Sequence, residues 1–127
     1  MSWRLGAISA CAAFAATTCL ALAHHSIAMF DHNHPIELVG IVREYSFASP
    51  HAFIFLEVND ADGRPVIWRL EGNSPNSLTW DGWSIRTLRP GDEVRMTVEP
   101  LRSGAPGGTW SPKKATFKDG RPIVTGH

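Results

Sequence analysis

From residue 36 onward the chain alternates in twos. Residues 51–58 carry Ala52, Ile54, Leu56 and Val58 on one face and His51, Phe53, Phe55 and Glu57 on the other. This is the two-residue period of a half-buried strand. Residues 66–71 repeat it, with Val66, Trp68 and Leu70 sharing a face, and residues 93–99 repeat it again with Val94, Met96 and Val98. A longer run from Ile36 to Phe47 is rich in β-branched and aromatic residues and holds Gly40 in its middle. A glycine inside a strand marks a bulge or a sharp bend. A last strand is predicted around Lys114–Phe117, then a turn at Asp119-Gly120 and a short piece at Ile123–Val124.

The punctuation between these runs is equally specific. Asp60-Ala61-Asp62-Gly63 reads as a hairpin turn, because Gly63 takes a positive φ at little cost. Ser74-Pro75 reads as a helix N-cap followed by proline at the first helical position. That predicts a short helix to about Trp80, closed near Gly82, with Trp80 and Trp83 packing it onto the sheet. Ser84 caps a second turn from Ile85 to Leu88, and Arg89-Pro90-Gly91-Asp92 forms another turn. Residues 102–109 hold Gly104, Pro106, Gly107 and Gly108 and are expected to form a surface loop. Three strands, a short helix and two strands is the order of an OB-fold, a small Greek-key barrel with a long, bent first strand. An immunoglobulin-type sandwich is the competitor, but it needs about seven strands. The expectation is therefore an all-β, OB-fold-like barrel of about five strands with one short helix between strands 3 and 4.

The first 23 residues follow a different rule. Met1-Ser2-Trp3-Arg4 is a short basic start, residues 5–20 are apolar or small and uncharged, and Ala21-Leu22-Ala23 puts small residues at −3 and −1. This is the pattern of a secretory signal peptide cut after Ala23, or after Ala21. The apolar run falls short of the roughly 20 residues a membrane-spanning helix needs. The predicted organisation is a signal peptide at 1–23, a histidine-rich arm at 24–35 and a barrel domain at 36–125, located in the periplasm. Removing 23 of 127 residues leaves 104, enough for one domain with one core. Cys11 and Cys19 leave with the leader, so the remainder has no disulfide and no cysteine nucleophile. Arg4 leaves too, so 11 basic side chains face 12 acidic ones for a net charge of −1. Such a balance lacks the basic footprint of nucleic-acid binding.

Several runs taken together resemble a known family. These are Ala23-His24-His25-Ser26, Phe30-Asp31, Leu38-Val39-Gly40-Ile41-Val42, Ser49-Pro50-His51-Ala52-Phe53, Gly72-Asn73-Ser74-Pro75-Asn76, Gly82-Trp83 and Leu88-Arg89-Pro90-Gly91-Asp92. The family is one of small exported bacterial proteins catalogued as domain of unknown function 6152. Its members usually show Asn-Pro-His where this chain has Ser49-Pro50-His51, and often a Trp at the position of Phe53. The resemblance covers essentially the whole chain after the leader. It implies export and a small β-barrel, and it brings no established reaction.

Two constellations carry candidate chemistry. His24, His25, His32 and His34 lie within eleven residues around Met29, and His51 opens the second strand. Neutral imidazole is a good ligand for copper, zinc and nickel. Cleavage after Ala23 gives His24 a free α-amine beside its ring. Cleavage after Ala21 makes His24 the third residue. Either terminus offers nitrogen ligands in the tetragonal geometry that Cu(II) favours. The candidate metal ligands are His24, His25 and His51, with Cu(II) the candidate ion. The competing reading is a solvated polar arm, with His51 hydrogen-bonded at the start of its strand. The second constellation is aromatic. OB barrels bind ligands on the face of strands two and three, and the candidate residues there are Phe53, Phe55, Arg69 and Trp68. The competing reading makes these rings core.

Catalysis finds no motif. There is no Gly-x-Ser-x-Gly elbow, no phosphate-cradling loop and no HExxH pair. Asp60-x-Asp62-Gly63 lacks the downstream Glu of a calcium loop. The sequence therefore predicts a non-enzymatic exported binding or accessory module for a small molecule, a peptide or a periplasmic protein. Copper binding through the N-terminal histidines is the alternative.

Overall fold

The computed structural model describes residues 27–125. Five strands, β1 (Ile36–Ser46), β2 (Phe53–Asn59), β3 (Pro65–Glu71), β4 (Glu93–Pro100) and β5 (Gly107–Phe117), close into one barrel in the order β1-β2-β3-β5-β4. A single-turn-plus helix, α1 (Pro75–Trp80), lies between β3 and β4. This is the OB-fold expected from the order of elements. The predicted leader and His24 and His25 lie outside the described residues. Among the described residues no helix is long and apolar enough to cross a membrane.

β1 shows how one strand serves two neighbours. Ile36–Ile41 pairs with β4, and Ile41–Ser46 pairs with β2, with a register shift between Val42 and Glu44. Gly40 sits at the changeover. A Cβ there would run into the Glu57 carbonyl oxygen and meet Leu56 and Val58 at 3.0 Å. Glycine is thus what allows β1 to cross so close to β2. The β2–β3 hairpin closes as predicted. Gly63 has φ +76°, and the Asp60 carboxylate accepts from the Asp62 and Arg64 amides, each at 2.9 Å.

The helix begins where Ser74 Oγ accepts from the Ser77 amide at 3.2 Å, with Pro75 in the first turn. Gly82 takes φ +82°, and the Trp83 amide returns to the Leu78 carbonyl at 3.0 Å. Leu78 enters the core. Trp83 is 3% exposed and packs on Trp110 with ring centroids 5.0 Å apart, whereas Trp80 is 85% exposed. The expected pairing of Trp80 with Trp83 against the sheet is therefore half corrected. Trp80 lies two residues past Leu78, about 200° around a 3.6-residue turn, and points away from the barrel.

A second correction concerns β5. It begins at Gly107, not near Lys114, and the exposed loop is confined to residues 102–106. Arg69↔Gly107, Leu70↔Gly108 and Glu71↔Thr109 make the parallel β3–β5 ladder that closes the barrel. Gly107 and Gly108 are needed for close approach. A Cβ on Gly108 would stand 2.5 Å from both the Glu99 carbonyl and Val98, and one on Gly107 2.8 Å from Leu101. Residues 111–114 then bulge between the Val98↔Trp110 and Met96↔Ala115 pairs.

The interior is apolar. Val42, Ile54, Leu56, Leu70, Leu78, Val94, Met96 and Val98 are fully buried, and no polar or charged residue is buried among those described. At roughly 1.5–3 kcal/mol per fully buried aliphatic side chain, this layer is what holds the disulfide-free barrel together.

Candidate functional site

Because neighbouring side chains on a strand point to opposite faces, β2 and β3 carry two different surfaces. Ile54 and Leu56 face inward, opposite Leu70 and Trp68. Phe53, Phe55 and Glu57 face outward, opposite Glu71, Arg69 and Ile67. Trp68 packs against the core cluster. It is therefore separated from Phe53, Phe55 and Arg69, with which the sequence reading grouped it, by the strand's own alternation.

The three remaining candidates do come together. The Phe53 and Phe55 rings lie with centroids 6.5 Å apart, tilted by 34°. The Arg69 guanidinium stands 4.0 Å over the Phe53 ring, a cation–π stack that fixes a long side chain on the surface. Both phenylalanines are half-buried, and Ile67 beside them is 46% exposed. The margins are charged. Arg43 donates from Nε to Glu57 at 2.6 Å, and this pairing holds the Glu57 carboxyl below its ordinary range. Glu44, opposite Phe55 on β1, was not picked out from the sequence. Its place depends on the irregularity between Val42 and Glu44, which no local signal marks.

His51 stands at the entrance to β2, next to this face. Its Nδ1 donates to the Gly72 carbonyl at 3.1 Å, and its Nε2 lies 3.6 Å from a Glu71 carboxylate oxygen. The side chain is 48% exposed. Such a carbonyl contact sets the tautomer and leaves Nε2 as the outward nitrogen. His24 and His25, the other two candidate ligands, lie outside the described residues. Among the described residues no three His, Cys, Asp or Glu side chains are disposed to hold a metal ion.

The described part of the arm is docked against the barrel. The Asp31 amide donates to Pro100 O at 2.8 Å, the Arg102 amide to Met29 O at 2.8 Å, and Arg102 Nε to Ala28 O at 3.1 Å. His32 faces the Glu99 carboxylate through Nδ1 and the Ile27 carbonyl through Nε2 at 3.1 Å. Both ring nitrogens thus meet acceptors, which suits the imidazolium, the form with two donors. The Glu99 hydrogen bond, then the Ile27 carbonyl, push the His32 pKa above its ordinary value. His34 lies 3.0 Å from Asp31, whose carboxyl it holds below its usual range.

A separate groove of about 430 Å³ runs between the end of α1 and β5, with Trp80, Trp83, Pro112 and Ile123 among its walls. It shares no residue with the outer face of β2 and β3.

A family model described as "Family of unknown function (DUF6152)" matches residues 11–111. No curated protein matches the chain significantly. Among solved structures, the fold is similar to a mitochondrial single-stranded DNA binding protein of S. cerevisiae, Rim1. The two share 9% identity at a TM-score of 0.49, over 67% of this chain and 93% of that one.

Proposed function

The chain belongs to the DUF6152 family, and we propose that it is an exported, non-catalytic binding module of the periplasm whose ligand lies on the outer face of β1, β2 and β3. The observation that carries this reading is the Phe53–Phe55 pair with Arg69 held 4.0 Å over Phe53. An apolar pair on the outside of a closed barrel adds little to the core, while a guanidinium fixed in place has already lost much of the entropy that binding would otherwise cost. It also coincides with the face that OB barrels use for ligands. The test is Phe53→Ala. Ligand-observed NMR with a panel of amino acids, short peptides and aromatic acids should show binders that the variant loses. Its melting temperature should fall far less than that of a core truncation such as Leu56→Ala. A large drop in melting temperature would make Phe53 a core residue.

A second reading is copper binding through His24, His25 and His51. It is favoured by the Nδ1–carbonyl bond of His51, since metal-ligating histidines usually donate their other ring nitrogen in this way. The secreted form should then bind one Cu(II) in a calorimetric titration. Equal binding by a chain with a scrambled terminus would refute it.

A further inference from the structure

The titratable side chains around Phe53 and Phe55 on the outer face of β1–β2–β3 are Arg43, Glu44, His51, Glu57, Arg69 and Glu71; Glu37, farther along β1, pairs with Arg95 at 2.5 Å. Arg43 pairs with Glu57 at 2.6 Å, and His51 Nε2 lies 3.6 Å from a Glu71 carboxylate oxygen. Glu44 and Arg69 have no ion-pair partner among the described residues. They flank Phe55 in a single cross-strand row, because Phe55 is opposite Glu44 on β1 and opposite Arg69 on β3. Adjacent strands lie about 4.8 Å apart, so the backbones of Glu44 and Arg69 stand about 10 Å from each other across Phe55, and the Arg69 guanidinium leans along the face over Phe53. Among the described residues no ion pair joins Glu44 and Arg69, and Phe55 stands on the strand between theirs.

We propose that this row docks a short peptide with free termini, its carboxylate on Arg69, its ammonium on Glu44 and a central apolar side chain over Phe55. The proposal rests on the outer face being the ligand surface and adds the ligand's class. An extended peptide advances about 3.3–3.6 Å per residue, so three residues span the backbone separation of Glu44 and Arg69, about 10 Å. A guanidinium presents a planar fork that suits a carboxylate. The stack on Phe53 holds that fork in place. Glu71, two residues further along β3, has its contact with His51.

The experiment is a titration of the ¹⁵N-labelled chain with Ala-Leu-Ala, its N-acetylated form, its C-amidated form and the doubly blocked form. The free tripeptide should shift the amides of Glu44, Phe55 and Arg69. Blocking either end should weaken binding by about threefold or more, the scale of an exposed charge pair. Arg69→Gln should make the chain indifferent to amidation, and Glu44→Gln indifferent to acetylation. Both residues are exposed, so unchanged Ile54 and Leu56 signals verify the fold of each variant. Equal binding of the free and doubly blocked peptides at these amides would overturn the role of the termini and leave the outer face standing as a ligand surface. No shift with the free tripeptide would overturn the peptide assignment, while the outer face is decided separately by the Phe53→Ala comparison.

Discussion

The two faces of β2 are the most instructive comparison in the molecule. Inward, Ile54 and Leu56 are fully buried among Val42, Leu70 and Met96. Outward, Phe53 and Phe55 are larger than Ile54 and Leu56, yet only half-buried and bounded by charge. In the proposed reading the same strand separates stability from recognition. Its inner residues are fixed by packing, and its outer residues are free to be chosen for a ligand.

Substitutions can test how sharp that separation is. Leu56→Ala should cost the most, about 2–5 kcal/mol in denaturant unfolding, because a buried leucine leaves a cavity the barrel cannot close. Gly40→Ala should follow at about 1–3 kcal/mol, from forcing a methyl group against the Glu57 carbonyl and Leu56. Phe53→Ala on the outer face should cost below about 1.5 kcal/mol by loss of half-buried area. If it cost as much as Leu56→Ala, the two faces would be one core. Trp80→Ala should change unfolding by no more than about 0.5 kcal/mol, the scale of surface positions, because Trp80 is 85% exposed.

The arm adds a pH-dependent test. The His32 pKa is raised above its ordinary 6.5 by Glu99 and the Ile27 carbonyl. Its stabilising effect is therefore complete below pH 6.5 and is lost as pH climbs through the raised value. Hydrogen exchange should show the Asp31 and Arg102 amides losing protection, relative to His32→Gln, across that interval. Identical pH profiles in the two proteins would remove His32 from the docking of the arm.

Much of the barrel is legible in the chain. Period-two patterning marks β2, β3 and β4, Gly40 marks the bend of β1, and Ser74-Pro75 marks the start of α1. Gly107 and Gly108 mislead because glycine gives the same signal for a turn as for two backbones in close approach. Only the fold shows that they serve the second purpose, beside Val98, Glu99 and Leu101. Trp80 and Trp83 are equally apolar, but helix phase turns Trp80 away from Leu78 while the turn at Gly82 brings Trp83 back onto the barrel. The outer trio of Phe53, Phe55 and Arg69 was readable from alternation, which should also have set Trp68 apart. Glu44 needs the register shift after Val42, and the His32–Glu99 contact joins residues 67 apart in sequence. Neither leaves a local trace.

The central claim is that the outer face of β1–β2–β3 is where this chain meets its ligand. An amide chemical-shift map against the ligand panel tests it most directly. The account predicts shifts clustered at Glu44, Phe53, Phe55 and Arg69. Shifts clustered instead at Trp80, Trp83 and Ile123, along the groove beside α1, would contradict it.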